Sequence, residues 1–130
     1  MNIRTLSQPK PDVSDWTEVA SLQQRLAETV ERINAMASDV GMAKHVLEYD
    51  PDMRKKALGR AMAAPMAGGA SAAKAEAEAR ASEGYAKEMA VLAKSHLAAE
   101  QTVSEFEATK LTWETARSLL AMSRESMKNL

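Results

Sequence analysis

The stretch YAKEMAVLAKSHLAAEQTVSEFEATKLTWETARSLLAMSRESM, residues Tyr85 to Met127, decides the fold of this chain. Tyr85, Leu92, Ala99, Phe106, Trp113, Leu120 and Met127 recur along it at every seventh position. No Pro interrupts the run from Ser71 to Leu130, and its one Gly is Gly84. A period of seven held over this many turns places a stripe of apolar side chains along one side of a helix. A helix continuous from Ala72 to Met127 would be roughly 85 Å long at the usual rise. That is too long for a small globule, so the seam needs partners.

Working outward, a second heptad run precedes the first. Val19, Leu26, Ile33, Val40 and Leu47 fall every seventh residue, with Leu22, Val30, Met36 and Ala43 widening the seam. Ser14 or Asp15 caps this helix, with Glu18 in a capping-box position, and it runs over residues 15–48, about 50 Å. Tyr49-Asp50-Pro51-Asp52 reads as its end: Asp50 suits an N-cap and Pro51 the first position of a new helix. A short basic helix, residues 51–63, follows. Pro65 and Gly68-Gly69 then form a loop, and Ser71 caps the long helix, residues 71–128. A break near Gly84 or at Thr109–Thr112 is the alternative to continuity. Alternation of Ala with charge from Ala72 to Ala81 reads as a stable, soluble helix start; small side chains admitting a close neighbour are the alternative. Met1–Val13, with Pro9 and Pro11, reads as a flexible arm before one helical domain, residues 14–130.

Composition agrees with an all-α fold. Alanine is the commonest residue, and the other strong helix formers Leu, Met, Glu, Lys and Arg are all frequent. The expected architecture is a long antiparallel helical hairpin with the basic helix at its turn. A first helix ending at Glu48 covers the returning one only to about residue 105 at the usual rise. Phe106, Trp113, Leu120 and Met127 then lack partners within the chain, and a homo-oligomer above a dimer is the economical solution. Zero Cys excludes disulfides and thiolate chemistry, and a net charge of −1 excludes a uniformly basic nucleic-acid protein while allowing a local patch. The apolar runs are too short for a membrane span and no secretory signal opens the chain, which points to a cytoplasmic protein.

Catalytic chemistry finds no support in the residues. His45 and His96 are the two histidines, neither with a second ligand at metal spacing; there is no Walker-type loop and no nucleophile elbow. We expect no enzyme, no cofactor and no metal. The informative polar feature is Arg54-Lys55-Lys56 with Arg60, which either forms a solvated face balanced by its neighbours or, repeated around a ring, a belt for a single-stranded backbone. Tyr49 and Tyr85 are candidates for base stacking, although Tyr85 also fits the seam.

Three features resemble the UvsY-type recombination mediators of tailed phages. They are the basic stretch Arg54-Lys55-Lys56-Ala57-Leu58-Gly59-Arg60, the small-residue loop from Pro65 to Ala70, and the ending Lys110-Leu111-Thr112-Trp113-Glu114-Thr115-Ala116-Arg117 with Met122 and Arg124. That resemblance implies a ring-forming, single-stranded DNA-binding accessory protein in the host cytoplasm, with a RecA-like recombinase or single-strand-binding protein as partner. It also implies strand contacts at the basic stretch and oligomerisation through the C-terminal helix. A helical oligomeric inhibitor that sequesters a protein or nucleotide, and a structural coiled-coil scaffold, are the competing classes.

Overall fold

The computed structural model describes residues 18–128. The expected arm and the Ser14 and Asp15 caps lie outside the described residues. Three helices follow in order: α1, Val19–Ala67; α2, Ala72–Ala81; and α3, Glu83–Lys128. Among the described residues there is no strand, and no helix is long and apolar enough to cross a membrane.

The expected end at Glu48 and the separate helix over 51–63 do not form. Both Pro51 and Pro65 lie inside α1. An interior Pro removes one backbone hydrogen bond and costs about 3 kcal/mol. The seam explains why α1 continues: Leu47, Asp50, Arg54 and Ala57 extend the alternating spacing of three and four across Pro51. Ala57 is fully buried and Asp50 nearly so, whereas the Pro51 ring faces outward. Asp50 does not cap a new helix; its carboxylate is used sideways, on Arg54 and His96.

α1 ends where the glycines stand. Ala70 N–H donates to the Pro65 carbonyl (3.1 Å) and Gly69 N–H to that of Met66 (3.0 Å), the paired bonds of a Schellman cap. Gly69 supplies the left-handed residue this cap requires, at φ 92°. Ser71 then caps α2 as expected, its hydroxyl accepting from the Lys74 N–H at 3.3 Å.

The long helix is broken, two residues before Gly84. Ser82 adopts extended backbone (φ −75°, ψ 144°) and serves both helices. Its hydroxyl donates to the Ala79 carbonyl (2.7 Å), closing α2, and accepts from the Tyr85 N–H (3.3 Å), opening α3. Thr109 and Thr112 do not stop α3. Each hydroxyl donates back to the carbonyl four residues earlier, at 2.8 and 3.1 Å, so the side chain is satisfied without leaving the helix.

Two compact units divide the described residues: one comprises those up to Gly41 and from Gln101, the other Met42–Glu100. In the first unit, Leu22, Ala116 and Leu120 form a core, with Val19, Leu26 and Leu119 packed against it. Thr109 is also buried there, its hydroxyl 3.7 Å from the Met36 sulfur. In the second unit the buried apolar residues are all alanines: Ala43, Ala57, Ala75, Ala79 and Ala99. Ala75 and Ala79, four apart on one face of α2, are 0% and 1% exposed, which selects the close-neighbour reading of the Ala-rich stretch.

Candidate nucleic-acid interface

The four cations of the basic stretch divide into two kinds. Arg54 occupies a seam position, and its Nε donates to Asp50 Oδ2 at 2.8 Å. Arg60 pairs with Glu88. Lys55 and Lys56 are exposed, and neither forms an ion pair among the described residues. Balance by a neighbouring carboxylate therefore holds for Arg54 and Arg60 and not for the two lysines.

The Asp50 carboxylate has a second neighbour. His96 Nδ1 lies 3.2 Å from the same Asp50 oxygen, and His96 Nε2 lies 2.5 Å from Glu100 Oε1. Hydrogen bonding from Arg54 holds the Asp50 carboxyl below its ordinary value; desolvation opposes this, while the charge of Arg54 and the neighbouring His96 reinforce it. The sequence carried a signal for this cluster: Asp50 and Arg54 stand at successive seam positions four apart, the spacing of a helical ion pair. Their placement in the seam is visible only when the heptads are carried through Pro51.

Arg60 is held differently. Its pair with Glu88 joins two exposed side chains, 59% and 38% accessible, and such pairs contribute about 0–1 kcal/mol. A phosphate can replace that partner at little cost. Elsewhere on the surface of this unit, the Arg80 guanidinium donates to the Glu76 carboxylate, which holds it above its ordinary value.

Continuity of α1 brings an aromatic to the cations. Tyr49, Met53, Lys56 and Arg60 are spaced by four, three and four residues on one helix and all are exposed, so they form one outward stripe. His45 extends it, its ring 4.3 Å from that of Tyr49 between centroids. Tyr85, the other tyrosine, is half-buried.

The residues expected at an oligomer interface are placed unequally. Leu120 is 6% exposed, packed within its own chain beside Leu22 and Ala116, so it does not lack an intramolecular partner. Phe106 and Trp113 are half-buried and share a groove with Val30 and Ile33 of α1. The expectation that these residues find no partner within the chain is thus corrected: α1 ends at Ala67 rather than Glu48, so its N-terminal half is available to them. Met127 is exposed. Among the described residues no group of His, Asp and Glu is arranged to hold a metal ion.

No protein-family model, no characterised protein and no solved structure matches the chain.

Proposed function

We propose that the protein is a single-stranded nucleic-acid-binding accessory protein that works as a homo-oligomer. The observation that carries this reading is the exposed Tyr49–Met53–Lys56–Arg60 stripe, which exists because α1 does not stop at Pro51. A ring that stacks on bases, set beside cations that follow the backbone, is the combination used for strand binding without sequence preference. Lys56 lies in the stripe, Arg60 is releasable from Glu88, and Lys55 is exposed more than a quarter-turn round α1, so three cations per subunit are open to phosphate, while Arg54 stays with Asp50. Three are few for one subunit, and repetition of the stripe in an assembly raises the avidity. A phage recombination role, with a RecA-like recombinase as partner, is the specific form of this function that the resemblance favours.

The same reading takes α1 and α3 as arms of an antiparallel hairpin. Within the first unit Leu22 packs with Leu120 and Met36 faces Thr109; within the second, Asp50 faces His96 and Arg60 faces Glu88. In each unit the residue number falls on α3 as it rises on α1.

Fluorescence anisotropy with a labelled single-stranded oligonucleotide, across a salt series, tests the function. Each neutralised phosphate contributes about 0.7 to the log–log slope, so Lys55→Ala/Lys56→Ala lowers the slope by about 1.4 per bound subunit. Tyr49→Ala weakens binding by about 1–3 kcal/mol per stacked base without changing the slope. Equal affinity for duplex and single strand, or an unchanged slope in the double variant, refutes the reading.

A further inference from the structure

In the first unit, α3 carries chemically distinct rows along its length. Beside Phe106 and Trp113 runs a basic row, Lys110, Arg117 and Arg124. Next comes an acidic row, Glu107 and Glu114, and beyond it an uncharged row in steps of four and three, Leu111, Thr115, Ser118 and Met122. In that uncharged row Leu111 is 59% and Met122 66% exposed, on the side of α3 away from the seam.

The opposite feature is a groove. Val30 and Ile33 from α1, with Phe106 and Trp113 from α3, line an open space of about 300 Å³ rimmed by Lys110 and Glu114. The cations on its α3 side are poorly satisfied. Arg117 lies over the Trp113 ring at 5.3 Å and Lys110 over Phe106 at 5.5 Å, and the nearest carboxylate to Lys110, on Glu107, is 3.8 Å away. Neither Arg117 nor Arg124 forms an ion pair among the described residues.

We propose that the Leu111–Met122 row of one copy seats in the Val30–Trp113 groove of a second copy. A Leu or Met side chain fits a groove of this size, and the flanks agree. The acidic row beside the knobs meets the basic row beside the groove, while the uncharged α1 surface around Ala27, Val30 and Asn34 faces the knobs' other, largely uncharged side. This complementarity selects another copy of the chain as the occupant. Because knob and groove lie on different faces, the contact is heterologous: every copy keeps one of each to offer, and assembly passes beyond a dimer into a ring or filament. The contact does not use the Tyr49 stripe and stands independently of strand binding.

Native mass spectrometry and sedimentation velocity on the full chain test it. The parent assembles beyond a dimer. Leu111→Ser/Met122→Ser, which removes the knobs, and Val30→Glu, which blocks the groove, each weaken self-association at least a hundredfold and leave helical monomers. Mixed in equal amounts they form one heterodimer and nothing larger, since one intact knob row and one intact groove remain between them. If Val30→Glu loses helicity by circular dichroism, Lys110→Glu at the exposed rim replaces it. A parent that is monomeric or only dimeric overturns the proposal. So does either variant assembling like the parent, or a mixture that stays monomeric or grows past two.

Discussion

Leu22→Ala tests the first unit most directly, because Leu22 is the largest fully buried side chain among the described residues. It packs with Ala116 and Leu120, and with Val19, Leu26 and Leu119 around them. Truncation removes the equivalent of three methylene groups, worth about 2.4 kcal/mol at ~0.8 kcal/mol each. A residual cavity adds about 24 cal/mol per Å³. Val19, Leu26 and Leu119 are half-exposed and free to relax inward, so the cavity stays small and the total comes to about 2.5–3.5 kcal/mol. Val91→Ala is the control: Val91 is 68% exposed, and the change should leave stability within about 0.5 kcal/mol. The assay is urea unfolding followed by circular dichroism, at two protein concentrations tenfold apart so that self-association is separated from folding. A cycle with Leu120→Ala adds a coupling of about 0.5–3 kcal/mol if the two leucines touch. Equal losses for Leu22→Ala and Val91→Ala, or strict additivity with Leu120→Ala, would refute the intramolecular seam.

Three further changes probe the elements that define the helices. Pro51→Ala restores a missing hydrogen bond inside α1 and should stabilise the protein by about 1–3 kcal/mol in the same unfolding assay; a loss would mean that the chain turns at Pro51. Gly69→Ala forces a side chain into the left-handed region at φ 92° and should cost about 1–2 kcal/mol, with no loss for Gly41→Ala, where added bulk meets open space. Asp50 has a lowered folded value, so its ionised form contributes stability that is complete above the unfolded pKa of about 3.9 and disappears as pH falls through the lower folded one. Asp50→Asn should therefore lower the melting temperature at pH 7 and flatten its decline below about pH 4. A mutant whose acid limb stays parallel to the parent's would remove Asp50 from that role.

The helical class and both seams were legible in the sequence because they are properties of side-chain spacing. Alternating steps of three and four place Leu22, Leu26, Ile33 and Val40 on one side of a helix whatever it meets. The end of α1 was partly legible: Gly68-Gly69 and Ser71 are local signals, and local hydrogen bonds made the cap as expected. Ser82 was equally readable, a Ser followed by Glu83 at a helix start, but it was hidden inside a strong heptad pattern. Local chemistry misled at Asp50-Pro51. The same residues serve as cap and helix start, or as seam residues, and only contacts from outside the segment choose between them. Here Arg54 and His96 on the Asp50 carboxylate, with Ala57 buried beyond, favour continuation over the break that Pro prefers. That choice moved the end of α1 from Glu48 to Ala67. With it went the partners of Phe106, Trp113 and Leu120, because which turns of two helices meet depends on where the connection lies. Tertiary structure likewise decided that Ala75 and Ala79 are core, and that Tyr49 shares a face with Lys56. A sequence specifies which side of a helix is apolar; what that side packs against is set by contacts between residues far apart in the chain.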